Sequence, residues 1–144
     1  MKQFFVAGLL ATAASLALAQ ATPAGLWRTV DDDGKTEKSQ VRITESGGVF
    51  TGKVEKVADA SKADAKCTEC TDERKDKPIV GMVMLRNVKA AADGTWEGGE
   101  ILDPNNGKTY KVRLKPIDGG SKLEVRGYVG TPLLGRTQTW LRAE

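Results

Sequence analysis

The sequence predicts an all-β fold, an eight-stranded antiparallel up-and-down barrel formed by a single domain. Three observations predict it: turn signals recur along the chain, the segments between them are rich in β-branched and aromatic residues, and apolar and polar residues alternate within those segments. The alternation is clearest from Tyr110 to Lys115, where apolar and basic residues follow one another with a period of two. Such a pattern is typical of a sheet with one buried face and one wet face.

Eight strands are predicted between the turns. They run, in order, over 26–30, 39–44, 49–57, 79–88, 95–102, 108–115, 122–129 and 136–142. The turns contain residues that supply the positive φ of a tight hairpin, at Asp32-Asp33-Gly34, Ser46-Gly47-Gly48, Asp93-Gly94, Asn106-Gly107 and Asp118-Gly119-Gly120. Strands joined in series by short hairpins form a meander, and closing the meander into a barrel removes its free edges. A two-sheet β-sandwich is the alternative, although its crossovers need longer connections than most of these.

The N-terminus predicts export. Met1-Lys2 precedes an apolar run that ends at Ala19, and small-x-small sites end at Ala19 and Ala21. This pattern is typical of a secretory signal peptide over 1–19, with cleavage after Ala19 or, alternatively, after Ala21. The run is short for a membrane-spanning helix, and no cysteine follows it as a site for lipid attachment. We therefore expect a periplasmic or secreted protein whose single barrel domain spans 20–144.

The charge balance and the absence of histidine exclude several classes of function. The chain has 22 Lys+Arg against 19 Asp+Glu, and both signs alternate along it, so that no clustered basic face for nucleic acid is expected. It has no histidine, which removes Ser-His-Asp and Cys-His nucleophile pairs and the imidazole ligands of zinc, copper and haem. No carboxylate pair stands out for acid–base catalysis. The sequence therefore predicts a non-catalytic protein without a metal or other cofactor.

The longest connection, over 58–78, is rich in charged residues and contains both cysteines. Loops of this length are usually functional or held by their own contacts. The segment from Ser61 to Lys66 predicts a short helical turn with Ser61 as its N-cap. We expect the whole connection to form a solvated cover over one mouth of the barrel.

The Cys67-Thr68-Glu69-Cys70 sequence allows three interpretations. Export favours a structural disulfide. A redox-active dithiol is the one enzymatic alternative, but it needs a stabilised thiolate, which the neighbouring carboxylates of Glu69 and Asp72 disfavour. Half of a metal site is the third interpretation, although zinc would need two further ligands that neither histidine nor a second cysteine pair supplies.

The aromatic residues of the predicted strands suit two roles. Ordinary core packing is the first. The second is a ligand cavity, because an eight-stranded barrel is just wide enough inside for packed side chains or for one small molecule. In a pocket for a small, mostly apolar ligand, aromatic rings would stack on the ligand and an arginine would face an anionic head group. The candidate pocket residues are Trp27, Tyr110, Arg126, Tyr128 and Trp140, and strand register decides which of them face inward.

Two resemblances to known families accompany these patterns. Gly25-Leu26-Trp27 at the start of the first strand resembles the Gly-x-Trp signature of lipocalin-like (calycin) barrels. Arg142 in the last strand is placed like the arginine that packs across that tryptophan, so the resemblance implies a barrel-closing pair of Trp27 and Arg142.

The second resemblance covers essentially the whole chain and is to the small exported bacterial proteins called domain of unknown function 2147. It rests on 25–29 (GLWRT), the Cys67-x-x-Cys70 pair followed by 78–82 (PIVGM), 101–104 (ILDP) through 107–110 (GKTY), 125–130 (VRGYVG) and 133–140 (LLGRTQTW). It implies a lipocalin-like barrel in the periplasm or outside the cell, in a family without an established activity. It carries over no catalytic residues.

These observations predict an exported, non-catalytic, lipocalin-like barrel that binds a small, mostly apolar ligand. The alternative is a structural or protein-interaction module of the periplasm, with a filled barrel and the charged loop around Cys67 and Cys70 as its contact surface. We expect neither a nucleic-acid partner nor a membrane-spanning segment, and the sequence indicates no particular protein partner.

Overall fold

The computed structural model describes residues 21–144, which form a closed barrel of eight antiparallel strands. In chain order these are β1 (Gly25–Val30), β2 (Glu37–Ser46), β3 (Val49–Val57), β4 (Val83–Ala90), β5 (Trp96–Asp103), β6 (Lys108–Ile117), β7 (Lys122–Tyr128) and β8 (Gly135–Arg142). Each strand pairs with the next, and β8 pairs with β1 through Trp27–Arg142 and Arg28–Leu141. The predicted up-and-down barrel is confirmed, and the sandwich alternative is excluded. The predicted signal peptide over 1–19 lies outside the described residues.

The largest differences from the predicted elements fall in the long connection before β4. This strand begins at Val83 rather than at 79, because Gly81 has a φ of +90° and the Met82 N–H donates to the Ile79 carbonyl at 3.1 Å in a turn. The helical turn is a 3-10 helix at Ala60–Lys62, and its cap is Asp59, whose carboxylate accepts a hydrogen bond from the Ser61 N–H at 3.0 Å. Turn chemistry overrides the apolar pattern at the start of β4, and at the helical turn an aspartate two residues earlier takes the capping role predicted for Ser61.

Strand register identifies the inner face of the barrel wall. Leu123 lies opposite Trp140, and Leu114 lies opposite Val125; all four side chains are buried. Because side chains alternate across a strand, the residues two positions away share this inner face, and the residues between them face outward.

The half of the barrel near the chain entry at 21–24 is a packed core. This closed end also has the turns at 47–48, 91–95 and 118–121, and the opposite, open end has the turns at 31–36, 104–107 and 129–134 and the long connection. The Phe50 and Trp96 rings pack edge to face, with centroids 6.2 Å apart. Buried side chains fill this half, namely Trp27, Ile43, Phe50, Val88, Trp96, Leu114, Leu123 and Trp140.

Arg142 lies across Trp27 at the closed end. Its guanidinium is 4.2 Å from the centroid of the Trp27 ring. The Nε of Arg142 donates to the Gly120 carbonyl at 2.6 Å, and its Nη1 donates to the Ala24 carbonyl at 3.0 Å. The Trp27 indole N–H donates to the Pro23 carbonyl at 2.8 Å. These bonds join the entering chain, the β6–β7 turn and the last strand, which is the placement that the lipocalin resemblance implies.

Candidate functional site

The long connection folds against the outer wall of the barrel. Cys67 and Cys70 form a disulfide, and both are buried, at 0% and 1% exposure. Met84 and Leu102 are also buried, although they face outward, since each is next in sequence to an inner-face residue of its strand. An outward apolar side chain is buried only when another segment covers it, and here the disulfide loop does so.

Gly107 in the β5–β6 turn allows the disulfide loop to dock. A β-carbon on Gly107 would overlap the carbonyl group of Glu69 and would lie 2.8 Å from the backbone nitrogen of Cys70. Cys67 Sγ is 3.8 Å from the carbonyl oxygen of Pro104 in the same turn. These contacts correct the expectation of a solvated cover over the mouth, because they fix the loop to the outer wall and to its neighbouring turn.

Ion pairs fasten the same loop to the strands beneath it. Arg74 is buried; its Nε donates to Asp72 Oδ2 at 3.1 Å, and its Nη1 donates to the Val83 carbonyl at 2.9 Å. Arg86 of β4 pairs with Glu73 of the loop at 2.6 Å. The hydrogen bonds from Arg74 lower the pKa of Asp72 to about 2. Three of the charged residues that suggested a contact surface, Asp72, Glu73 and Arg74, are therefore engaged in ion pairs within the molecule.

Above the packed core, the open end forms a shallow mouth, defined by inner-face side chains that remain partly accessible. Tyr110 and Ile101 lie opposite each other and are half-buried. A β-carbon on Gly127 would lie 3.5 Å from Tyr110 Cβ and 3.8 Å from Ile101 Cγ2, which are ordinary contacts. Gln138 is exposed, and its Oε1 accepts a hydrogen bond from Trp140 Nε1 at 3.5 Å. Trp140 therefore forms the floor of the mouth.

The register divides the five predicted pocket residues between the two faces of the wall. Trp27 and Trp140 face inward within the packed core, and Tyr110 faces inward at the mouth. Arg126 and Tyr128 face outward, because they alternate with inner-face residues of β7.

The outward position of Arg126 is visible in its bonds. Its Nη1 donates to Thr137 Oγ1 at 2.7 Å, and its Nε donates to the Pro132 carbonyl at 2.6 Å. The prediction of one pocket that includes Arg126 and Tyr128 is thus corrected for these two residues. The sequence shows which residues share a face of a strand, but it does not show which face is enclosed.

The five pocket residues predicted from the sequence do not include Ile101, Gly127 and Gln138. A signal for two of them was present: Gln138 shares a strand face with Trp140, and Gly127 shares one with Val125. A glycine at an inner position leaves free space without offering a side chain, so residue-type arguments overlook it.

Two surface grooves of about 450 and 420 Å³ lie on either side of Val80 and Gly81. None of the residues that define the mouth lines either groove. Several of the charged residues beside them are paired, as Arg42 is with Glu55 at 2.5 Å.

Across residues 21–144 there is no cluster of three or more side chains suited to hold a metal ion. In the same part of the chain, no helix has the length and apolar character needed to cross a membrane.

Comparison with known proteins agrees with this architecture. The chain is similar to the solved structure of protein HP1028 from the human pathogen Helicobacter pylori, which is described as belonging to the lipocalin family. The TM-score is 0.74 and the sequence identity is 25%, over 86% of this chain and 84% of that chain. No curated protein matches the sequence. The family model described as "Uncharacterized protein conserved in bacteria (DUF2147)" matches residues 25–142. The chain therefore belongs to the DUF2147 family, and its fold is a lipocalin-like eight-stranded barrel.

Proposed function

We propose that the protein is an exported, non-catalytic binding barrel that takes up a small, mostly apolar ligand at its open mouth. The observation that carries the proposal is a contrast along the barrel axis. Inner-face residues of the closed half, such as Leu114 and Leu123, are fully buried. On the β5, β6 and β8 side of the open end, Tyr110, Ile101 and Gln138 remain accessible, whereas Leu85 of β4, opposite Ile101, is buried. Accessible apolar surface with a few convergent polar groups, above a rigid floor, is typical of ligand sites.

The mouth combines the groups that such a ligand needs. The Tyr110 ring and the Ile101 side chain offer apolar surface, and the Gln138 amide offers a donor and an acceptor. Arg136 lies opposite Gly127 at the rim and forms an ion pair with Asp32. Arg136 is thus the arginine nearest the revised site, and its guanidinium is already engaged by Asp32. Because the floor is high, only a small molecule, or one end of a longer molecule, enters.

Export and the absence of catalysis belong to the same proposal. Disulfides form and persist in oxidising compartments, so the Cys67–Cys70 bond supports a periplasmic or secreted location. Both half-cystines are buried, which leaves no accessible sulfur for an attacking thiolate. This burial favours a structural role for the pair over thiol redox activity.

The second candidate is a structural or protein-interaction module of the periplasm with a filled barrel. The full burial of Trp27 and Trp140 favours it, because these two large side chains occupy interior volume that a deep ligand cavity would need.

Fluorescence titration with N-phenyl-1-naphthylamine, a neutral apolar probe, tests the proposal. The mature wild-type protein should give saturable enhancement. Gly127→Leu should weaken probe binding about tenfold or more, because its side chain occupies the mouth at a position where the backbone is not left-handed. Tyr128→Leu, the next residue on the outer face, is the matched control and should leave binding unchanged.

Circular dichroism should show the same barrel for both variants. Identical titration curves for wild type and Gly127→Leu would contradict the proposed site. A wild-type protein without saturable binding would contradict the ligand function itself and would favour the interaction module.

A further inference from the structure

The β7–β8 turn protrudes at the open end and exposes large apolar side chains. Val129, Leu133 and Leu134 are 64%, 88% and 73% exposed, and no other large hydrophobic residue within 21–144 is exposed to this degree. Single exposed apolar residues are ordinary, but a cluster on one protruding turn usually marks an interaction site. We call these three residues the apolar tip.

A belt of aromatic and cationic side chains lies directly behind the apolar tip. Tyr128, at the end of β7, lies opposite Lys111 on the outer face, and Arg126 lies one step further along the same face. The ion pairs of the described residues involve neither Lys111 nor Arg126. Neither cation is therefore neutralised by a carboxylate within ion-pair distance, although Glu100 of β5 lies opposite Lys111. Arg136 on the other side of the turn, in contrast, is already paired with Asp32.

Arg126 also fixes the tip to the barrel. Its Nε donates to the Pro132 carbonyl at 2.6 Å, and its Nη1 donates to Thr137 Oγ1 at 2.7 Å. Pro132–Leu134 forms a 3-10 turn between these two anchors. The leucines are thus held outward at the end of a braced hairpin, with a guanidinium at its base.

We propose that the apolar tip inserts into the interface of an anionic lipid bilayer, with Lys111 and Arg126 against the lipid phosphates. The turn presents three layers in order: apolar side chains at the front, an aromatic residue behind them, and cations behind the aromatic residue. A membrane interface has the same order, with acyl chains, an interfacial belt and lipid phosphates. A convex tip of three side chains needs no matching cavity in a bilayer. A stable protein interface, in contrast, buries about 800 Å² on each partner, far more than such a tip offers. The inference does not rest on ligand binding, although it would place the mouth beside the lipid.

Co-sedimentation with lipid vesicles tests this inference on the mature protein. Wild type should bind phosphatidylcholine vesicles that contain about one third phosphatidylglycerol and should bind pure phosphatidylcholine vesicles more weakly, with the difference removed by salt. The double variant Leu133→Ser/Leu134→Ser should lose binding about tenfold or more. Its melting temperature should be unchanged, because both leucines are exposed.

Two lysines on the same face of β6 provide a matched test of the charge belt. Lys111→Gln should weaken binding to the anionic vesicles, whereas Lys115→Gln, which lies opposite Glu124 and away from the tip, should not. Equal effects of the two substitutions would overturn the assigned belt.

Absence of vesicle binding by wild type, or unchanged vesicle binding by the double serine variant, would overturn the inference as a whole. A leucine-dependent dimer without vesicle binding would also overturn it, because it would identify a second copy of the chain as the partner of the apolar tip. The two proposals can fail separately. Gly127→Leu should retain vesicle binding, and the double serine variant should retain binding of the naphthylamine probe.

Discussion

Gly107→Ala, compared with Gly34→Ala, measures how strongly the disulfide loop is docked on the barrel. The two glycines have φ values of +72° and +71°. An alanine at either position therefore has the same backbone strain from the left-handed conformation, about 1 kcal/mol. Nothing lies within 4 Å of a β-carbon on Gly34, whereas a β-carbon on Gly107 would overlap the Glu69 carbonyl. The difference between the two variants therefore isolates the docking contact.

The expected cost at Gly107 is larger because the loop must move. Moving it uncovers part of Leu102 and of both half-cystines, which are now at most 1% exposed; the lost burial is about 2–3 kcal/mol. We expect a total loss in the free energy of unfolding of about 3–4 kcal/mol for Gly107→Ala and about 1 kcal/mol for Gly34→Ala. The corresponding falls in melting temperature are about 10–15 °C and about 3–5 °C for a domain of this size.

Urea unfolding gives these free energies, and the rate of disulfide reduction by dithiothreitol gives an independent reading. In Gly107→Ala the buried disulfide should be reduced faster than in wild type, whereas Gly34→Ala should leave the rate unchanged. Equal destabilisation by the two alanines, or equal reduction rates, would refute the conclusion that the loop is held by close packing against the β5–β6 turn.

Two further predictions concern the closed end and the ion pairs of the loop. Arg142→Lys should lower the free energy of unfolding by about 2–4 kcal/mol, because a lysine cannot donate to two separate carbonyls while stacking on the indole. Arg28→Lys on the exposed neighbouring position of β1 should change it by less than about 0.5 kcal/mol in the same urea titration, and similar losses would contradict this account. The pKa of Asp72 lies at about 2 in the folded protein against an ordinary 3.8, so its contribution to stability is complete above about pH 4 and is lost as the pH falls toward 2. Asp72→Asn should therefore flatten the dependence of melting temperature on pH in that window, and a curve with the wild-type slope would show that the carboxylate is not stabilised by Arg74.

The barrel itself could be predicted because its signals are local. Alternation along Tyr110 to Lys115 and glycine turns such as Asn106-Gly107 depend on neighbouring residues only, and both have the structure expected of them. The start of β4 could not be placed, because the left-handed Gly81 interrupts a segment whose composition favours a strand.

The candidate site was predictable only in part, because it depends on which side of the wall is enclosed. Alternation assigns Arg126 and Tyr128 to one face of β7 and Gly127 to the other. The alternating pattern is the same whichever of the two faces is enclosed by the barrel, so it does not decide which residues point inward. The consecutive apolar pair Ile101-Leu102 was an available sign that β5 is covered on both faces. What covers the outer face, the loop around Cys67, lies far from Leu102 in sequence, so local patterns could not reveal it.

Native mass spectrometry of the protein purified from the periplasm of a bacterium that exports it tests the central claim most directly. We expect a mature chain that begins near Gln20 and that has a reproducible non-covalent small-molecule adduct, lost on denaturation. The adduct should persist in Tyr128→Leu and be absent in Gly127→Leu. A wild-type spectrum with only the mass of the bare chain, or an adduct retained in Gly127→Leu, would contradict a ligand site at the mouth.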